Sequence, residues 1–283
     1  MSTERLFVNS SFKPQLRGVN LVPPVPKIVS WSDGTDAEIA ALLDAHYAGT
    51  VNLHEYWNIG DTRTVHLSAM PATGVNESHV EQDVEFQLVN AGGKELANGR
   101  ECAFIVQLEK VLCYIRQSNG QNLKTGETGY MNDVESNIGG WKDCARRTWC
   151  NSIFRSALSE ETRGLFKLHK NKTTQGNQLL TLDETEDYFA LPCAYNIFGD
   201  DSGDKSGGSD EDAIHWAYYI DTTGFTNKKD KGGQGINSGI TWWLRSPNIK
   251  NSTEFLSVYW GNLTPGAIRA NYTYYGLAPF GTI

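Results

Sequence analysis

Nothing in this chain is apolar for the ~18 residues that a membrane-crossing helix needs, so no helical span is expected. Long basic runs are missing as well. With a net charge of −8 and a pI of about 5.3, neither nucleic acid nor an anionic membrane is the expected partner, because both select basic surfaces. The opening residues MSTERLFVNSSFKPQ lack the apolar core of a secretory signal. The product is therefore expected to stay in the cytoplasm or to leave by a route such as cell lysis. Charged residues make up only 20% of the chain, against roughly 25% in average globular proteins. The five cysteines, Cys102, Cys113, Cys144, Cys150 and Cys193, are odd in number and form no CxxC. That spacing excludes a dense disulfide framework and a zinc knuckle, and leaves buried, small apolar thiols as the plain expectation.

Catalytic signatures are absent too. The six histidines, His46, His54, His66, His79, His169 and His215, have no metal-binding spacing. There is no nucleophile elbow, P-loop or dinucleotide fingerprint. Ser78 and His79 are adjacent, but neighbours on a strand face opposite ways and do not make a dyad. Glu81, Asp83 and Glu85 share a face if their segment is a strand, as glycosidase carboxylates can; a solvated strand face explains them as well. Arg146 and Arg147 stand near Cys144 and Cys150 and could lower a thiol pKa, but six residues of helix would turn the two thiols apart. The chain is read as a non-enzyme.

What is present is glycine, 28 residues, with 8 Trp, 12 Tyr and 11 Phe. This is the composition of a loop-rich, aromatic-rich fold. Residues 1–30, with the proline-rich stretch Pro23-Pro24-Val25-Pro26, read as an extended arm, either a docking strap or a loose terminus. Residues 31–283 read as a single domain. Thr35 and Glu38 have capping-box spacing before the helical stripe Ile39, Leu42, Leu43 and Tyr47. His46 lies within reach of that stripe as a structural histidine, and Gly49 ends the helix. Residues 64–69 alternate like a half-buried strand, 83–88 and 103–108 read as two more, and 90–94 as the turn between them. Ala145, Trp149, Ile153 and Ala157 recur every fourth residue as one helix face, and Ser159 with Glu160 and Glu161 starts a further helix. Residues 170–177 read as a polar loop and 187–192 as a short strand. In the acidic loop 199–212, Asp200, Asp201, Asp204, Asp210 and Asp212 could offer oxygens to Ca²⁺. They could equally line a solvated loop, since the EF-hand pattern is missing.

The end of the chain raises the sharpest question. Between the anchors Trp242-Trp243-Leu244-Arg245-Ser246-Pro247 and Gly276-Leu277-Ala278-Pro279-Phe280-Gly281 lies an interval rich in Asn, Tyr, Ser and Thr. Four of the 12 tyrosines, Tyr259, Tyr272, Tyr274 and Tyr275, fall within 259–275. Amphipathic rings for contact area and small polar groups for adaptable hydrogen bonds are the chemistry of a binding surface. The same rings could instead be edge aromatics of a β-rich core. Trp242 and Trp243 read as core.

Several blocks occur in a characteristic order. They are Trp57 to Thr64 (WNIGDTRT), Gly140 to Asn151 (GWKDCARRTWCN) followed by Phe154 and Ser159-Glu160-Glu161, Tyr188 to Pro192 (YFALP), WWLRSP and GLAPFG. The set resembles a bacterial and phage family of lectin-like domains over roughly residues 55–283, with Cys150 where Leu is usual and Asn248 where Gly is usual. That family in turn resembles the C-type-lectin fold of the variable proteins of diversity-generating retroelements, in which template adenines are randomised near the gene's 3′ end. The resemblance implies an α+β, C-type-lectin-like fold of short mixed or antiparallel strands, two or three helices and long loops, with a variable-type binding segment at 248–275. Asn, Tyr, Ser, Thr and Ile are what adenine substitution leaves of Asn codons; Lys250, Glu254 and Trp260 are not. Phe255 and Val258 are expected to pack inward. The candidate ligand-binding residues are Asn248, Lys250, Asn251, Thr253, Ser257, Tyr259, Trp260, Asn262, Thr264, Arg269, Asn271, Tyr272, Thr273, Tyr274 and Tyr275, with Ser257, Tyr259 and Asn262 as the foremost exposed strand positions.

The implied function is receptor binding or adhesion. The ligand would be a host or cell-surface protein or glycan, and the setting a phage tail, virion or bacterial surface. The chain would attach through residues 1–30, and a homo-oligomer such as a trimer would supply avidity. No cofactor is required, Ca²⁺ apart. Two alternatives remain. The formylglycine-generating sulfatase modifiers share a related fold and some use paired cysteines with copper, but this chain has no cysteine after Cys193. A static Ca²⁺-dependent glycan lectin would use loop 199–212, though the short E-P-N and Q-P-D sugar motifs are lacking.

Overall fold

Thr35 caps the first helix, α1 (Asp36–Tyr47), through the reciprocal contact its spacing suggests. Its side chain accepts from the Glu38 amide, and the Glu38 carboxylate accepts from the Thr35 amide. Ile39, Leu42, Leu43 and Ala45 are buried. Gly49 follows at φ 74°, a left-handed conformation that favours glycine. His46 is structural, its Nδ1 accepting from the Leu53 amide. The computed structural model describes residues 26–74, 78–112, 129–199, 214–220, 231, 241–259, 264–272 and 275–283. Most of the expected arm, residues 1–25, lies outside them. Its last part is docked, for Ile28 and Val29 pack on the core and Val29 O accepts from Trp57 Nε1 at 2.9 Å.

The strands that follow are β1 (Thr62–Leu67), β2 (Gln82–Ala91) and β3 (Phe104–Leu108). In β1 the side chains of Arg63, Val65 and Leu67 are buried, while Thr64 and His66 are exposed, which is the alternation of a strand with one wet face. Next come α2 (Ala145–Trp149), a π-helical turn (Cys150–Phe154), α3 (Arg155–Ala157) and α4 (Glu160–Leu165). The expected fourfold period breaks inside this run. One wider turn lets Phe154, five residues after Trp149, face the core and stack on that ring at 5.7 Å, while Ile153 is only half-buried. Ser159 caps α4 through the Thr162 amide, as its sequence suggests.

The polar segment expected to be a loop at 170–177 is instead a strand, β4 (His169–Gly176), paired antiparallel with β5 (Leu179–Asp187). It lacks a hydrophobic period because the inward face is polar. Asn171, Thr173, Thr185 and Asp187 are all buried. Asp187 explains this. Its Oδ1 accepts from Arg147 Nε at 2.7 Å and Asn151 Nδ2 at 3.0 Å, and its Oδ2 from Trp141 Nε1 at 3.0 Å, Asn171 Nδ2 at 3.0 Å and Thr185 Oγ1 at 2.8 Å. A buried carboxylate needs such donors, and the hairpin and α2 are arranged to supply them. The hairpin turn has Asn177 and Gln178 at φ 50° and 62°, as a two-residue turn between twisted strands requires. Gly176 is obligatory, since a Cβ there would overlap the Asn137 carbonyl. Beyond β5 the expected strand at 187–192 reduces to a single bridge between Ala190 and Phe280, because Asn151 takes the Tyr188 and Phe189 amides.

The remaining elements are α5 (Ala194–Phe198), α6 (Ala217–Ile220), β6 (Trp242–Pro247), β7 (Glu254–Val258), β8 (Gly266–Arg269) and β9 (Phe280–Thr282). Among the described residues the strands form sheets β1-β2-β3-β9, β4-β5 and β6-β7-β8, all paired antiparallel. The result is an α+β architecture of antiparallel sheets with few, short helices. The closing residues stitch it together. Gly276 bridges Trp242, Leu277 bridges Leu112, Phe280 bridges Ala190 and Thr282 bridges Lys167. Trp31, Trp141, Trp149, Trp216, Trp242 and Trp243 all lie in one contiguous apolar core.

Two predictions follow from these buried polar groups. Asp187→Ala leaves five donors facing a void and should cost about 3–5 kcal/mol, read as a lower urea midpoint. His79 and His169 are held neutral chiefly by burial, at about 4 and about 3, with Arg146 and Lys94 respectively acting in the same sense. The unfolded histidines protonate near pH 6.5. Stability is thus complete above that pH and should fall below it by about 1.4 kcal/mol per unit per histidine, down to the two folded-state values. Urea midpoints between pH 7 and 5 test this, and His169→Gln should roughly halve the slope.

Candidate functional site

The described part of the interval 248–275 holds the turn that leaves β6 and the strands β7 and β8, which pair with β6 in one sheet. β6 is wholly buried, and Phe255, Leu256 and Val258 of β7 complete the floor. The inward packing expected of Phe255 and Val258 is therefore seen, as is the core position of Trp242 and Trp243. On this floor stand side chains of three kinds.

The first are exposed. Tyr259 retains 48% and Tyr272 37% of its surface, and Lys250, Thr264, Arg269 and Asn271 are open to solvent. Arg269 sits 3.4 Å from Glu135. The second kind shape the turn between β6 and β7. Asn248 is buried, contrary to its reading as a contact residue. Its Nδ2 donates to Glu254 Oε2 at 2.7 Å and its Oδ1 accepts from the Lys250 amide at 3.0 Å. Asn251 is half-buried, and its Oδ1 accepts from the amide and hydroxyl of Thr253. Asn side chains favour turns because they can mimic backbone in this way. The third kind belong to the floor itself. Ser257, expected to be a foremost exposed position, is fully buried, because its cross-strand partner is Trp243 on the packed face of β6. Tyr275 is also buried, lying 5.0 Å from the Trp243 ring and 5.3 Å from that of Tyr272. Burial pushes its phenol up to about 12, and the nearby phenols of Tyr272 and Tyr259 reinforce the shift. Trp260, Asn262, Thr273 and Tyr274 lie outside the described residues, as do Asp200, Asp201, Asp204, Asp210 and Asp212. Among the described residues no group of three His, Cys, Asp or Glu side chains could hold a metal ion.

One residue that sequence reasoning missed holds this surface in place. Asn137 is fully buried. Its Nδ2 reaches the carbonyls of Asn248, Asn251 and Glu254 at 3.2, 2.9 and 2.7 Å, and its Oδ1 accepts from the Asn177 amide at 2.8 Å. Gln178 adds a bond from Nε2 to Lys250 O at 3.0 Å. The tip of the β4-β5 hairpin is thus clamped against the 248–254 turn. Exposed Ile138, Leu179 and Leu180 stand on or beside the clamped segments. The dipeptide Gly176-Asn177 was the available signal for this tip, as a turn marker.

Elsewhere the candidate chemistry is quiet. Cys102, Cys144, Cys150 and Cys193 are buried and unbridged. Burial pushes the Cys102 thiol up to about 12 and that of Cys144 to about 11, and raises Cys150 too, so these thiols are poor nucleophiles. Asp83 is exposed and lies 3.0 Å from His66 across β1 and β2.

The described residues thus define an α+β protein with a rigid aromatic floor under a polar, tyrosine-bearing surface. The chain belongs to the family described as Domain of unknown function (DUF6273), whose model matches residues 111–279. That span holds β4 to β8 and the whole candidate surface. No curated protein and no solved structure matches the chain.

Truncation should separate floor from surface. Tyr275→Ala should cost about 3 kcal/mol in urea denaturation. Tyr259→Ala and Tyr272→Ala should each stay within about 0.5 kcal/mol of the parent. Asn137→Ala should cost about 1–3 kcal/mol by stranding buried carbonyls.

Proposed function

We propose that this chain is a non-enzymatic binding protein of C-type-lectin-like fold, and that residues 248–275 form a diversifiable recognition surface of the kind carried by retroelement variable proteins. The setting is a phage or prophage tail, or a bacterial surface, and the ligand is a protein or glycan of a target cell. One observation carries the reading. Within a single short interval, exposed side chains (Lys250, Tyr259, Thr264, Arg269, Asn271 and Tyr272) stand over a buried floor. A site meant to change its specificity needs both properties, since loops and edges on a rigid scaffold can vary without loss of the fold. The tyrosines give large contact area at small entropic cost, and Asn, Thr and Arg add hydrogen bonds.

The experiment is population sequencing of the gene and its flanks. Variation concentrated at the codons of the exposed set, with Trp242, Trp243, Ser257 and Tyr275 constant and a reverse transcriptase plus template copy nearby, is the expected result. A uniform 3′ end with no such neighbour would overturn the diversification. Binding supplies a second check. Tyr259→Ala and Tyr272→Ala should weaken attachment to target cells at least about tenfold while leaving the urea midpoint unchanged, and a chelator should leave attachment intact.

A further inference from the structure

A cleft of about 240 Å³ opens where three segments meet: the end of α1, the loop between β2 and β3, and the link from α4 to β4. Backbone bonds join these segments. The Ala97 amide donates to Leu168 O at 2.8 Å, the Leu96 amide to Arg100 O at 2.7 Å and the Lys167 amide to Thr282 O at 2.7 Å. Asn98 Oδ1 accepts from the Arg100 amide at 3.0 Å, and Gly99 takes φ 79°, which closes the loop into a defined turn. Tyr47 is fixed at its far end, where its hydroxyl donates to Ile283 O at 2.9 Å and accepts from the Ala103 amide at 3.0 Å. Its ring makes one wall, with buried Leu96 and half-buried Leu168 beside it. The walls are thus largely apolar and in place before any ligand arrives.

Two cations stand at this cleft. The Arg100 guanidinium lies over the Tyr47 ring at 5.7 Å, and its Nη2 donates to Tyr47 O at 3.2 Å. Most of its five N–H donors remain for a ligand. Lys167 makes one long bond, from Nζ to Gly164 O at 3.5 Å. The acids of the same loop are engaged elsewhere, Glu95 by Lys170 at 2.7 Å and Glu101 by the Gly93 amide at 2.6 Å. Among the described residues no acid lines the cleft, and neither Arg100 nor Lys167 has an ion-pair partner. In a chain of 33 acidic and 25 basic side chains, such a place attracts an anion where most of the surface repels one. The planar fork of a guanidinium matches a carboxylate, and the apolar walls call for a ligand with an apolar body.

We propose that this cleft binds a small organic carboxylate with a body about one ring in size. Arg100 takes the carboxylate, Lys167 adds a second positive charge, and Tyr47, Leu96 and Leu168 hold the ring. The volume lies below that of most drug-sized pockets, which fixes the scale of the ligand. The site draws no residue from the 248–275 interval and does not depend on what that interval binds.

Titration of benzoate into the ¹⁵N-labelled full chain tests the proposal. Saturable shifts are expected at the amides of Leu96, Ala97 and Leu168, weakening as salt is added. Benzamide, the neutral isostere, should bind at least about tenfold more weakly to the parent protein. Arg100→Gln should weaken benzoate binding about tenfold, and Lys167→Gln about threefold, with urea midpoints confirming that both variants fold. No saturable shift at these amides, equal binding of benzoate and benzamide, parental binding by both variants, or displacement of benzoate by an equal concentration of inorganic phosphate would each overturn the proposal.

Discussion

The carboxylate of Asp187 is the contact on which the middle of this protein depends. It is buried without exposure, and a bare carboxylate in that position would be very costly. Five donors from α2, the π turn after it, β4, β5 and the loop before α2 converge on it. The convergence orders the elements. Asn171 and Thr185 must lie on the same face of the hairpin, so the register of β4 against β5 follows. Arg147 and Asn151 must lie one helical turn apart on the surface of α2 and the π turn that extends it, so the helix is pressed against that face. Asn151 then takes the Tyr188 and Phe189 amides and bonds Phe189 O, which turns the chain toward the bridge with β9. Polar networks of this kind specify geometry more sharply than apolar packing, because every unmet group is penalised.

From that network the order passes outward to the candidate surface. The hairpin that Asp187 positions carries Asn177 and Gln178 at its tip. The tip meets Asn137, and Asn137 in turn holds the turn between β6 and β7. The buried network therefore reaches the candidate surface through rigid backbone contacts. Below that surface, Trp243, Tyr275 and the packed core leave little freedom. The result is a closely packed platform beneath the exposed side chains of the candidate surface.

Much of this was legible in the residues alone. The capping box at Thr35, the glycine stop at Gly49, the alternation of β1, the cap at Ser159 and the buried tryptophans follow from local rules and from the hydrophobic period, which act over a few residues. Ordered blocks such as WWLRSP lie within the span that the family model matches. The hairpin at 169–187 was not legible. A strand whose inward face is Asn, Thr and Asp carries no hydrophobic period, and several of the donors that make such a face stable, from Trp141, Arg147 and Asn151, lie far from it along the chain. The wider turn at 150–154 was hidden for a similar reason, since it answers to packing between Trp149 and Phe154 within a shared core. Ser257, Asn248 and Tyr275 look like their exposed neighbours in sequence. Which of the polar and aromatic residues face solvent depends on what stands across the sheet. Local sequence determined where elements start, stop and alternate; tertiary structure decided which polar groups are buried, because their partners lie far away along the chain.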